Sequence, residues 1–456
     1  MRKLVLSAYA FILLNSSTAS AVTLQEALTS GYNNHEDLKI IRTDFLTEIE
    51  QFPRAVADFM PKVYATGNIT DTKTSRKHAS DPATRDIIST DNSKYSRTLT
   101  LEQPIFNGGS SVAGLKAAQS AFRASRDDYY SKEQQVFTDE IEVYLNCVSA
   151  LEKYNISKIS VKSNKTQLAA MREKFRLGES TETEVAGAES GLATAEANQA
   201  FAYANFEAAK ANFTKVFALE AVGIKMPEIA DNLPATLEEF IAIAECTNPA
   251  ISSAGHKTKS AKASEYAAKA ALLPRVSFRV DSGDTTYNPE DIDRNNVNTN
   301  STTSTLSVVV PILEKGGVEY SDVRKAKYQT RKSVVNLDSQ FKQIKANCKA
   351  TWEAFQAAKT RVSATTQGVK SAEVAYQGTL QEEMLGSKTI VDVLTFEERL
   401  NNARDARVDA EKELVLASYR IKALTGELTA EKMHLPVEYF NPDKEFKKIK
   451  LRIVGF

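Results

Sequence analysis

The sequence predicts a mainly α protein with a smaller β component, written twice over from one plan of strands followed by a long coiled-coil helical hairpin. Three observations carry this. Residues 105–226 and 312–435, more than 120 each time, contain no proline, the residue that most reliably interrupts a helix. Four short segments of the first half return in the second half in the same order. Between the helical stretches lie short runs in which apolar and polar residues alternate, the period of a strand.

The chain opens with an export signal. Arg2 and Lys3 give a positive start, Leu4 to Leu14 is an apolar run, and Ala19-Ser20-Ala21 is a small-residue cleavage site. Residues 1–21 therefore read as a signal peptide cut after Ala21. The apolar run is too short to cross about 30 Å of hydrocarbon. No cysteine follows the site, so the usual bacterial lipid anchor is not signalled. Further on, no apolar stretch reaches the roughly 18 residues of a transmembrane helix. The mature protein is then secreted, periplasmic, or crosses a membrane as a barrel.

The duplication sets the domain plan. "TLQEAL" at 23–28 returns as "TLEEFI" at 236–241, and "MPKVYATG" at 60–67 as "LPRVSFRV" at 273–280. "QPIFNGG" at 103–109 returns as "VPILEKGG" at 310–317, and "FRLGESTETEV" at 175–185 as "EMLGSKTIVDV" at 383–393. The first repeat covers 22–226, with strands near 61–70 and 95–104 and a helical hairpin near 110–217. The second covers 236–430, with strands near 275–284 and 302–311 and a hairpin near 318–426. Residues 431–456 form a tail. The strand-to-helix junctions are marked by Pro104, Gly108 and Gly109 in one half and by Pro311, Gly316 and Gly317 in the other.

The helical stretches are rich in Ala, Glu, Lys, Gln and Leu, strong helix formers. From Leu337 a seam of alternating four and three spacing runs through Phe341, Ile344, Cys348, Thr351, Phe355, Ala358, Val362, Thr365, Val369, Ala372 and Tyr376. A period near 3.5 sustained this long calls for supercoiled helices. Residues 186–211 are crowded with Ala and Gly, which fits either close helix approach or plain helix propensity. An unbroken helix over 110–176 is about 100 Å long, so it must turn back at its far end. Gly178 and Gly386 are placed to make those turns, because glycine takes positive φ without strain.

The alternating runs have two readings. An apolar face toward lipid and a polar face toward a lumen suit a membrane β-barrel; one buried face suits a soluble sheet. Residues 71–94 and 282–302, full of Thr, Asn, Asp and Ser, read as exposed loops. Four strands cannot close a membrane barrel, for which about eight is the usual minimum. Membrane-spanning strands must therefore be pooled among several chains, and three copies supply about twelve.

Lys plus Arg and Asp plus Glu both number 58, a balance that argues against nucleic acid as partner. Cys147, Cys246 and Cys348 are far apart and without nearby His, so they read as buried small hydrophobes rather than as a metal or disulfide set. No phosphate loop, nucleophile elbow or zinc motif is present, so the chain does not read as an enzyme, and no cofactor or metal is expected.

The duplicated layout, the junctions "QPIFNGG" and "VPILEKGG", and the pieces "LGSKTIVDVL" (385–394) and "ALTGEL" (423–428) together resemble the TolC family of outer-membrane channel proteins. The resemblance covers about 22–430, and "GSKTIVDVL" is its most specific part. It implies a homotrimeric α/β-barrel, in which strands shared by three chains form one outer-membrane barrel and their helices a periplasmic tunnel. It further implies an exit duct of a tripartite efflux pump or type I secretion system, joined through a periplasmic adaptor to an inner-membrane transporter. Small molecules or proteins pass to the exterior of a Gram-negative cell, outer-membrane lipid surrounds the barrel, and the tail stays periplasmic.

By match to the family, Asp392 lines the periplasmic constriction, where three copies make a carboxylate ring attractive to cations. A second family aspartate is Thr395 here. The gate-holding arginine corresponds to Lys388, its partners to Thr183 and Glu184, and a tyrosine before the glycine to Glu383. Lys pairs less well with a carboxylate fork than Arg does. The expected latch is Lys388–Glu184; the plainer reading is two solvated helix-end charges. The alternative function is a soluble periplasmic coiled-coil adaptor or structural protein.

Overall fold

The computed structural model describes residues 21–77, 87–289, 297–450 and 452; the expected signal peptide lies outside them but for its last residue. Three helices come first, α1 (Leu24–Asn34), α2 (Glu36–Ile49) and α3 (Gln51–Ala57). Strands β1 (Lys62–Lys77) and β2 (Ile87–Asn107) lead into α4 (Ser110–Arg176) and α5 (Glu182–Phe217). The second half repeats the order with α6 (Leu237–Thr247), α7 (Pro249–Ala270), β3 (Arg275–Pro289), β4 (Val297–Val309), α8 (Val318–Met384) and α9 (Ile390–Leu424). A short α10 (Pro442–Ile449) follows. Among the described residues no helix is long and apolar enough to cross a membrane.

The four strands form one antiparallel sheet in the order β1-β2-β3-β4, so the two halves of the chain join through the β2–β3 ladder. The strands are longer than their apolar alternation indicates. Segments 71–77, 87–94, 282–289 and 297–302, expected as loops, continue the ladders in unbroken register, as from Lys62↔Glu102 to Lys77↔Ile87. Backbone pairing and β-branched Thr sustain a strand whose two faces are both polar, and such a strand leaves no apolar period to read. The rest of the expected loops, 78–86 and 290–296, lies outside the described residues.

Residues opposite one another across a ladder share a face. Val63, Leu101 and Val280 line up on one face, as do Phe278 with Leu306 and Val276 with Val308. This face is apolar yet open: Val63, Leu99, Leu306 and Val308 are each more than half exposed. The other face carries Lys62, Glu102 and Arg279, and there the Thr100 hydroxyl donates to the Asp281 carboxylate at 2.6 Å. Neither β1 nor β4 has a further strand on its outer edge among the described residues.

Each junction turns on glycine. Pro104 lies inside β2 at a register shift between Pro104 and Phe106, where a residue without an N–H does least harm to a ladder. Gly108, Gly109, Gly316 and Gly317 then take φ of 60°, 89°, 63° and 94°, turning strand into helix. Pro311 is buried just after β4.

The chain folds as two compact units. One holds the described residues of 21–41, 130–248 and 343–440. Its core gathers Tyr32, Phe137, Tyr144, Phe213, Phe217 and Leu428, and the Tyr144 hydroxyl lies 3.0 and 3.1 Å from the carbonyls of Val22 and Lys225. Along α8 the heptad seam is the protected row: Ile344, Cys348 and Ala358 are buried and its other members from Thr351 to Tyr376 half-buried, whereas most residues between them are exposed. Cys147 and Cys348 are buried as expected, but Cys246 is exposed, since α6 turns Phe240 and Ala244 inward instead. The small residues of α5 do permit close packing: a methyl at Gly191 would sit 2.8 Å from the Leu394 side chain of α9.

The other unit holds residues 42–77, 87–129, 249–289, 297–342 and 441–450. Its tail is a folded helix. Phe446 of α10 stacks on Phe122 with ring centroids 3.7 Å apart and meets Phe52 edge-on at 4.9 Å.

A methyl at Gly108 would sit 2.3 Å from the Ala270 carbonyl oxygen, while nothing lies within 4 Å of one at Gly109. Gly108→Ala should thus lose about 1–3 kcal/mol to overpacking, and Gly109→Ala only the roughly 1 kcal/mol of its left-handed backbone. Unfolding midpoints of the two variants check this; equal losses contradict it.

Candidate functional site: the hairpin tips

Both hairpins of the first unit reverse in the same way. Gly178 (φ 80°) and Gly386 (φ 73°) end α4 and α8 in the left-handed conformation. The N–H of the next residue reaches back to the helix, Glu179 to the Lys174 carbonyl at 2.8 Å and Ser387 to the Glu382 carbonyl at 2.9 Å. Each following helix then starts on a capping box. In α5 the Thr181 side chain accepts from the Glu184 N–H, and the Glu184 carboxylate accepts from the Thr181 N–H at 2.8 Å. In α9 Thr389 and Asp392 repeat the arrangement, the carboxylate accepting from the Thr389 N–H at 3.0 Å.

Asp392 and Glu184 are thus equivalent residues of the two repeats, and each is tied to its own helix start. These backbone bonds hold both carboxyls below their usual range, helped by the hydroxyl of Thr389 for Asp392 and of Ser180 for Glu184. Asp392 therefore stays ionised at neutral pH with a fixed orientation. The signal was present in the sequence as T-x-x-E and T-x-x-D, the pattern of a capping box.

The expected latch is not what links the hairpins in the single chain. Lys388 is exposed and forms no salt bridge among the described residues, and Glu184 is engaged in its cap. Thr183 is exposed and Thr395 bonds back to the Val391 carbonyl at 2.8 Å. Near the tips a cross-hairpin ion pair is made by Glu383 instead, which meets Lys174 at 2.7 Å with only 13% of its side chain exposed. A lysine near the end of α4 is hard to single out from sequence, because its partner lies 209 positions away.

A second tie lies further from the tips. Gln167 of α4 donates to the Glu397 carboxylate of α9 at 3.1 Å, and its amide lies 3.2 Å from the Tyr376 hydroxyl of α8. Tyr376 also lies 3.1 Å from the Ser163 hydroxyl. Glu397 occupies a place on the buried stripe Ile390, Val393, Glu397, Leu400, and a carboxylate on an otherwise apolar stripe is a mark that the sequence carried unread. Burial pushes its pKa up, against the hydrogen bonds from Ser163 and Gln167 that favour the charged form. Alongside, Arg404 pairs with Glu373 at 2.5 Å and Lys153 with Asp409 at 2.8 Å.

Set beside known proteins, the duplicated hairpins find their counterparts. The sequence pattern of outer membrane efflux proteins matches residues 50–217 and again 240–427. The chain belongs to the outer membrane efflux protein family. Its place is the outer membrane of a Gram-negative cell, where it serves as a channel of an efflux or secretion system. The outer membrane efflux protein BepC of Brucella suis is 25% identical over 450 residues, which cover 97% of this chain and 93% of that one. The outer membrane protein TolC of Escherichia coli is 21% identical over 360 residues, 76% of this chain and 72% of its own. The fold is also that of the CmeC outer membrane channel of Campylobacter jejuni, with a TM-score of 0.74 at 18% identity over 94% of this chain and 89% of the other.

Glu397 yields a pH prediction. Its folded pKa is raised, so between the ordinary carboxylate value and that raised value the folded state binds more protons than the unfolded one, and stability falls as pH rises through this window. Amide protection around residues 394–400, corrected for intrinsic exchange, should fall over that range, and Glu397→Gln should flatten the dependence. Identical profiles for the two proteins contradict this.

Proposed function

We propose that three copies of this chain form one exit duct: a shared β-barrel in the outer membrane and a helical tunnel in the periplasm, joined through a periplasmic adaptor to an inner-membrane transporter. The observation that carries this reading is the sheet, whose four strands have an exposed apolar face and two open edges. Unpaired backbone groups are excluded from lipid, so neighbouring chains supply the missing pairing. Efflux, as in the name of the Brucella relative, or type I secretion is the transport it serves, of small molecules or proteins.

In this duct the hairpin tips form the periplasmic gate. Lys174–Glu383 and the Gln167–Glu397–Tyr376 cluster hold the two hairpins of one protomer together, which keeps the constriction narrow. Three Asp392 carboxylates, each fixed by its cap, line the opening and favour cations. Lys388 makes no such tie; its charge acts on the adjacent Asp392 carboxylate.

Purified protein in planar bilayers tests both parts. Wild type should insert as discrete pores of low conductance. Glu383→Ala should raise the conductance severalfold, because cutting a tie that spans two elements releases the closed state, while Lys388→Ala should change it less. Failure to insert contradicts the duct, and a Lys388 effect larger than that of Glu383 contradicts the assignment of the tie.

A further inference from the structure

The neutral net charge of the chain conceals a local polarity at the two edges of the sheet. β1 is one edge and β4 the other. α3 ends at Ala57 just before β1, and α8 begins at Val318 soon after β4. The helices below the two edges carry opposite charge. Residues 44–58 contain four acids against Arg54, whereas residues 318–342 contain six cations against three acids. Glu48, Glu50 and Asp58 are exposed on the first side, and Arg324, Lys325, Lys327, Arg331 and Lys332 on the second. None of these eight forms a salt bridge among the described residues. β4 itself has no charged residue from 297 to 309, so any charge selectivity at that edge comes from the helix beneath it.

Exposed Tyr328 and Val335 lie among the α8 cations, an apolar surface that calls for cover.

We infer that the basic start of α8 docks on the acidic α2–α3 segment of the next copy, a charge seam that sets the head-to-tail order of the ring. A closed ring of identical chains needs such a heterologous contact, in which one edge meets the other and never itself. Opposite charges on the helices beside the two edges favour that meeting. Like charges oppose β1 meeting β1 or β4 meeting β4, a risk inherent in two open edges. This rests on the shared barrel proposed above.

The test is oligomer content by sedimentation of the full chain in detergent, at low and high salt. Reversing one side, by Arg324→Glu, Lys325→Glu and Lys327→Glu together or by Glu48→Lys and Glu50→Lys together, should raise the free monomer on the order of tenfold at low salt. The wild-type oligomer should form more slowly in high salt. Combining both reversals should restore the wild-type distribution, which separates a seam from mere misfolding. Wild-type assembly in both one-sided variants, or no recovery in the combined one, overturns the seam alone. A wild type that is itself monomeric overturns the shared barrel, and the seam with it.

Discussion

The whole structure answers to one constraint: a backbone N–H or C=O in hydrocarbon must have a partner. Four strands in an open sheet satisfy this internally but not at β1 and β4. The apolar face of the sheet raises the demand, since it finds no cover among the described residues. The duplication then makes sense as economy of means. One repeat supplies two strands and one helical hairpin, two repeats make the chain, and the ladder between β2 and β3 welds them. In the proposed duct, assembly completes what a single chain leaves open.

The helices are subject to a different demand. Each hairpin must reverse at a defined residue, and a helix end exposes backbone groups that need partners. Glycines at positive φ close the outgoing helices and capping boxes open the returning ones, identically in both repeats. Asp392 serves this local need, and its cap fixes its orientation. The ties between hairpins are charged or polar groups held among helices, above all the half-buried Glu383 and the buried Glu397. Such contacts cost much to leave unpaired and can be exchanged for water when helices part.

Much of this was legible in the sequence because it rests on local rules. Proline-free stretches mark α4, α5, α8 and α9, Gly178 and Gly386 mark their turns, and the seam from Ile344 to Tyr376 is the row that the structure protects. What was not legible depends on partners far along the chain. The outer halves of the strands are polar on both faces, so only the ladder reveals them. Lys174 and Glu383 meet across 209 residues, and no spacing rule pairs them. Glu184 and Asp392 were read as gate charges because a family match drew attention to them, although T-x-x-E and T-x-x-D state their first role plainly. Cys246 shows the limit of residue type as a guide, since its burial follows from which face α6 turns inward.

The central claim is that one copy cannot seal itself in lipid and that three share a wall. Native mass spectrometry of the protein extracted from outer membranes measures this directly. A dominant species of three times the mature chain mass, with no stable single chain, is the result the account predicts. A lone chain recovered from the membrane, or one that stays in the aqueous fraction without detergent, contradicts it.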